Sequence, residues 1–312
     1  MRDIETKIVN ANGIDFEVAV AGTGDKLALF LHGFPELNHS WRHQIRLMAE
    51  MGYTVWAPNL RGYGNSSRPK GVKNYVMEVL LEDVAGLIDA AQKDGGKKDV
   101  TLIAHDWGGA IAWFFVMHKI RPLSRYIVMN LPHPKLMSDK ISEGGVQLRR
   151  SWYVLFFQIP WLPEFTMRLG RAAAVRRAFH DMAIDKSRFP NEVLDIYAEA
   201  ALKPGALTAM FNYYRGLIRG GGGKRMAEKG YPKVDIPTLM IWGEEDSALD
   251  ITTTYGTDQY VDDFTLRYLP QVSHWVQQEA PEKVNAIMKA WLEGDTVPEA
   301  HEIDVTERLP LD

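Results

Sequence analysis

One aspartate stands where a strand, a tight turn and a helix would place a nucleophile. In "LIAHDWGGAIAW", residues 102–113, an apolar run passes through small residues into a helical pattern, the layout of a nucleophile elbow with Asp106 at its tip. The backbone at such a tip is strained, so the residues two positions to either side must be small, and Ala104 and Gly108 are. A plain helix N-cap would also use aspartate, whose oxygen accepts from the first amides and whose charge suits the helix dipole. An earlier segment favours the elbow. "FLHGFPE", residues 30–36, follows a strand-like run with a loop able to aim the Phe34 backbone N–H at the same point as that of Trp107. Together the two amides would form an oxyanion hole.

A carboxylate, with an ordinary pKa of about 3.9, is already ionised at neutral pH and needs no base before it attacks. On an acyl carbon it would give a reactive anhydride, whereas on a saturated carbon it gives an ester that a second step can hydrolyse. The electrophile is therefore an alkyl carbon bearing a leaving group. Hydrolysing the ester requires water activated by a base of near-neutral pKa. Of nine histidines, His274 is the candidate, because "QVSHWVQQEAPE" follows the strand-like "FTLRYLP" and precedes the last helical pattern. The chain order of nucleophile, acid and histidine puts the base there. The acid that orients it should follow the preceding strand, where "IWGEEDSALD" offers Glu244, Glu245, Asp246 and Asp250.

The ordered segments "HGFPE", "LRGYGNSSRP", "AHDWGG", a helical region, "IWGEEDSAL" and "SHWVQQEAPEKVN" resemble the α/β-hydrolases, and among these the soluble epoxide hydrolases, over nearly the whole chain. "HGFP" alone is shared with dehalogenases and other hydrolases; the ordered set is the specific signal. The resemblance implies an α/β-hydrolase fold, a mostly parallel sheet with helices on both faces and an inserted helical cap. It also puts the orienting acid at Asp246, with Glu245 as the alternative. Two cap segments, "SWYVLFFQIP" and "FNYYRGLIRG", match those that supply ring-opening tyrosines, which maps these roles to Tyr153 and Tyr214. A tyrosine hydroxyl stays protonated at neutral pH and can donate to an epoxide oxygen as it becomes an alkoxide. Leu207, Phe211, Tyr214 and Ile218 share one helical face, while Tyr213, beside Met210 and Leu217, stays open as the alternative. His105, Trp107, Phe34 and Phe157 are expected to line the substrate pocket.

The expected reaction converts an epoxide to a vicinal diol through a covalent alkyl-aspartyl ester, with no cofactor and no metal. A haloalkane or haloacid dehalogenase using the same Asp106 and His274 is the alternative, with the Trp107 indole N–H available to a halide. A non-catalytic receptor for a small ligand is a third reading.

These groups need a scaffold that brings distant segments together. "FEVAVAG", "KLALFLHG", "YTVWAPNL", "VTLIAH" and "RYIVMN" read as strands, separated by the helical patterns "SWRHQIRLMAEMG", "YVMEVLLEDVAGLIDAAQKDG" and "GGAIAWFFVMHKI". Such alternation predicts a parallel sheet covered on both faces. From 134 to 230 the pattern is helical and rich in aromatics and arginine, after which "IPTLMIWG" and "FTLRYLP" restore strands and "PEKVNAIMKAWLEG" a helix. The expected organisation is a core of 1–133 and 231–296, a cap of 134–230 and a loosely held tail of 297–312. Trp152, Phe156, Phe157, Trp161 and Leu162 are expected in the pocket wall or the cap core.

Composition sets the outer bounds. The chain has 312 residues, 46% apolar and 24% charged, enough for a sizeable core, and no apolar run approaches the roughly 20 residues of a membrane span. A net charge of −4 without a basic stripe argues against nucleic acid. Zero cysteines exclude disulfides and thiolate chemistry, and "GGGGKR", residues 220–225, lacks the first glycine and final Ser/Thr of a phosphate loop and reads as a linker. The opening "MRDIETKIVNANG" has no apolar core of a secretory signal, so a cytoplasmic location is expected, as a monomer or homodimer acting on a small-molecule epoxide.

Overall fold

The computed structural model describes residues 4–95 and 99–311. The apolar runs become eight strands: β1 (Glu5–Ala11), β2 (Ile14–Ala21), β3 (Lys26–Leu31), β4 (Tyr53–Pro58), β5 (Asp99–His105), β6 (Arg125–Met129), β7 (Thr238–Gly243) and β8 (Phe264–Leu269). They form one sheet in the order β1-β2-β4-β3-β5-β6-β7-β8. From β4 to β8 every neighbouring pair is parallel, and only the β1–β2 and β2–β4 pairs are antiparallel. The sequence patterns had not marked β1, because its side chains are mostly exposed and show no inward-facing alternation. Its turn is legible in hindsight: Asn12 and Gly13, both at positive φ, join Ala11 to its partner Ile14, the Asn-Gly hairpin.

Parallel strands require crossovers, and these supply the helices on both faces. Side chains alternate across β3, so Leu27, Leu29 and Leu31 pack with α2 (Met77–Lys93) and α3 (Asp106–Met117), while Ala28 and Phe30 pack with α1 (Arg42–Glu50). The second face is completed by α12 (Pro281–Glu293), whose Ile287 and Met288 join the same cluster as Ile45 and Met48.

Between β6 and β7 the chain builds helices only: α4 (Pro134–Ser142), α5 (Val146–Arg150), α6 (Trp152–Phe156), α7 (Leu162–Met182), α8 (Asn191–Leu202), α9 (Ala206–Ile218) and α10 (Gly222–Lys229). The glycine-rich stretch is thus only partly a linker, since α10 starts inside it. Helix α7 leaves helical conformation at Leu169–Ala172. Of the aromatics expected in pocket or core, Phe157 is buried, but Trp152 is 65% and Trp161 74% exposed. The remaining short helix, α11 (Val276–Glu279), runs into α12.

The segment after α12 has no regular secondary structure, yet it is tied down, contrary to the loose tail expected. Arg267 donates to the Val297 and Pro298 carbonyls, Arg188 to that of Leu309 and Arg42 to that of Leu311. Arg308 pairs with Asp185 of the cap. The tail therefore straps helical insertion to core.

Candidate active site

The carboxyl ends of β5, β7 and the loop after β8 converge on one point. Asp106 sits where β5 turns into α3, with φ of +47°, a left-handed value that a non-glycine residue adopts only when its surroundings enforce it. The enforcement is visible in the glycines. A Cβ on Gly108 would lie 2.2 Å from the Leu31 carbonyl oxygen, and one on Gly33 2.4 Å from the Asp106 Cβ. Asp106 is not a plain helix cap: His105 holds the N-cap position, and Asp106 Oδ1 instead accepts the Phe34 backbone N–H at 2.7 Å. The Trp107 amide, second in α3, has no intrahelical acceptor and is free to face the same region.

His274 lies with Nε2 3.7 Å from Asp106 Oδ2 and donates from Nδ1 to Asp246 Oδ2 at 2.7 Å. Asp246 is fixed in turn. Its Oδ1 accepts the backbone N–H groups of Ala248 and Leu249, and Asn130, at the end of β6, donates to Oδ2 at 2.8 Å while accepting the Gly243 N–H. Glu245, the alternative acid, is exposed. Burial pulls the His274 imidazole down, but Asp246 and Asp106 outweigh it and push its pKa up to about 10. Burial raises both carboxylates too, yet His274 and the surrounding donors bring each below its ordinary value. The imidazole, set between two carboxylates, is thus biased towards its protonated form.

Asp106, Trp107, Tyr153 and Tyr214 line one cavity of about 380 Å³, whose far walls come from α4, α10 and the apolar side chains Phe114, Leu131 and Met137. The rings of Tyr153 and Tyr214 meet edge to face at 5.9 Å. Burial, reinforced by the negative charge of Asp106, raises both phenols above their ordinary pKa, so each hydroxyl stays protonated. Tyr213 is turned elsewhere: its hydroxyl donates to the Arg61 carbonyl at 2.8 Å.

Three expected pocket residues take other places. His105 is fully buried, with Nδ1 2.7 Å from Glu36 Oε2 and Nε2 2.8 Å from the His274 carbonyl oxygen, so its ring braces the site from beneath instead of lining the cavity. Phe34 and Phe157 form an aromatic layer behind Tyr214, at ring distances of 5.4 and 5.0 Å, and only Trp107 of the four expected residues faces the cavity.

Two supporting residues had drawn no attention in the sequence. Glu36 is fully buried and accepts from the Gly33 N–H, His105, Gln277 and Gln278, joining the Phe34 loop, the elbow and the segment after His274. A glutamate directly after an apolar Gly-Phe-Pro turn was the available signal. Asn130 offered only its position, one residue past a strand. Among the described residues no group of three or more His, Asp or Glu side chains is arranged to hold a metal, and no helix is long and apolar enough to cross a membrane.

Comparison with known proteins fits this geometry. Residues 29–281 match the family defined by the alpha/beta hydrolase fold. The chain is 35% identical to the AB hydrolase superfamily protein YfhM of Bacillus subtilis (strain 168), covering 94% of this chain and all of that one. It is 35% identical to epoxide hydrolase 4 of Mus musculus, over 92% of this chain and 79% of the relative. Among solved structures, Bacillus megaterium epoxide hydrolase in complex with an inhibitor superposes with a TM-score of 0.82 at 28% identity, covering 92% of this chain and 100% of the other.

Proposed function

Because this chain belongs to the α/β-hydrolase family, we propose that the site just described is that of an epoxide hydrolase working through an aspartyl ester. The observation that carries the reading is the pairing of Asp106 with two protonated tyrosines across one largely apolar cavity. A carboxylate that attacks carbon needs donors on the departing oxygen, and Tyr153 and Tyr214, which share the cavity wall with Asp106, can supply them.

The chemistry balances on these residues alone. Asp106 attacks an epoxide carbon, the C–O bond breaks, and the oxygen takes a proton from a tyrosine, made good by the His274 imidazolium. The ester removes the negative charge of Asp106, one of the two charges that hold the His274 pKa high, so the neutral imidazole becomes available as a base. It then takes a proton from water, and hydroxide adds to the ester carbonyl. The oxyanion is held by the Phe34 and Trp107 amides; losing one such donor typically removes roughly 2.7–4 kcal/mol of transition-state stabilisation. Collapse expels the diol, whose last proton comes from the regenerated carboxyl, leaving Asp106 ionised and His274 charged as at the start. Asp246 keeps the imidazole oriented throughout.

Two measurements test this. His274→Gln, mixed with a styrene-type epoxide, should accumulate a mass adduct on Asp106. A single wild-type turnover in ¹⁸O-water should give unlabelled diol and place the label on Asp106; label in the first-cycle diol rules the ester out. Halide release from chloroalkanes that survives Tyr153→Phe and Tyr214→Phe would instead support a dehalogenase.

A further inference from the structure

Glu36, Asp83 and Glu279 are buried carboxylates that the mechanism does not use. Glu279, the last residue of α11, is 4% exposed and satisfies two separate parts of the molecule at once. Its Oε2 accepts the backbone N–H of Ser273 at 3.1 Å and also the Ser273 hydroxyl. Its Oε1 accepts the consecutive N–H groups of Ile184 and Asp185, at 2.9 and 2.8 Å, where the chain leaves α7. Ser273 immediately precedes His274. On the other side of the base, the Trp275 indole N–H donates to the Ala178 carbonyl of α7 at 3.2 Å, and its ring lies 4.3 Å from that of Phe179.

Both neighbours of His274 are therefore anchored to one stretch of the cap, Trp275 to the C-terminal half of α7 and Ser273, through Glu279, to the residues just beyond its end. A carboxylate gripped by four donors has little freedom of its own. Displacing the end of α7 must either break the bonds to Oε1 or carry Glu279, Ser273 and the His274 backbone along with it. Asp106 is held differently, by the elbow and the Phe34 N–H, and has no bond to Glu279.

We propose that Glu279 is a positioning residue that couples the seating of the cap helix α7 to the placement of His274, so that ester hydrolysis runs at full rate only with the cap seated. The proposal rests on the epoxide-hydrolase reading above. It concerns the second half-reaction, because there His274 acts directly on the attacking water, whereas in the first it only returns a proton to the tyrosine that has protonated the departing oxygen. A misplacement of about 1 Å can slow a step on the order of 10²-fold.

The test separates the two half-reactions. Glu279→Gln keeps the size of the side chain but sets an amide NH₂ against either the Ser273 donors or the two cap amides. In single-turnover experiments with the full chain, quenched and read by mass spectrometry, ester formation should stay within about threefold of wild type. Ester hydrolysis should slow at least about tenfold, so that the Asp106 ester accumulates, and its pH profile should shift. If both rates fall by the same factor as the active fraction, or neither changes, the coupling is wrong and Glu279 only holds structure. Should Glu279→Gln not fold, Ser273→Ala, which removes one hydroxyl, is judged by the same pair of rates. Absence of any ester in His274→Gln would sink the underlying reading, while its presence together with unchanged hydrolysis in Glu279→Gln would sink the coupling alone.

Discussion

The charge on His274 bears on stability as well as on catalysis. Its pKa of about 10, against an ordinary 6.5, means that the folded protein binds this proton more tightly than the unfolded chain does. Its stabilising contribution is therefore complete below pH 6.5 and is lost as pH rises towards 10. Asp106 and Asp246, held below their ordinary values, contribute fully above the ordinary carboxylate pKa of about 3.9 and lose their share as pH falls through their lowered values. Urea unfolding between pH 7 and 9.5 should show wild-type stability declining at up to about 1.4 kcal/mol per pH unit. In His274→Gln that decline should vanish; equal slopes in both proteins would remove the imidazolium from the resting site. The tyrosines make a kinetic prediction at the same scale. Tyr153→Phe or Tyr214→Phe should each slow ring opening, and the double variant by on the order of 10²–10⁴-fold, with ester hydrolysis nearly unchanged. Single-turnover formation of the ester checks it.

The elements that hold these residues differ in how openly the sequence announces them. The elbow is local, so "AHDWGG" contains nearly everything needed to read it, and the steric demand on Gly108 follows directly from the approach of β3 to α3. Gly108→Ala would press a methyl group against the Leu31 carbonyl, a backbone atom that cannot swing aside. We expect it to destabilise the protein by about 1–3 kcal/mol, the range for overpacking, and to lower activity more than stability because the strain falls on Asp106. Thermal unfolding and turnover of the folded fraction measure the two effects. By contrast, choosing Asp246 over Glu245 needed a resemblance, since composition does not say which of adjacent carboxylates turns inward. The structure turns Asp246 inward because Asn130 and two backbone amides receive it. His105 was misplaced for a related reason. Its type suits a pocket, but Glu36 and the His274 carbonyl capture both of its nitrogens, and neither partner is near it in sequence.

At the scale of the whole molecule, legibility follows the range of the interactions. Strands buried on both faces, such as β3 to β7, show as apolar runs, whereas β1 at the exposed edge shows no pattern. Hydrophobicity marked Trp152 and Trp161 but could not say that they face solvent, because that depends on how the insertion packs. The tail was the plainest misreading: an acidic, proline-bearing composition suggested weak attachment, while its backbone carbonyls are what two buried arginines require. Arg42 and Arg188 are each only 3% exposed, and both donate to tail carbonyls, at Leu311 and Leu309. Removing residues 305–312 would leave those guanidinium groups short of an acceptor, and a buried polar group left unsatisfied typically costs about 1–3 kcal/mol, more when charged. The Leu309 N–H bond to Glu282 and the Arg308 pair with Asp185 would go as well, although exposed ion pairs such as the latter contribute little. Truncation after Asp304 should therefore lower stability by roughly 2–5 kcal/mol, read as a shift of the denaturant midpoint. A loss below about 1 kcal/mol would mean that water satisfies both arginines and that the strap is decorative.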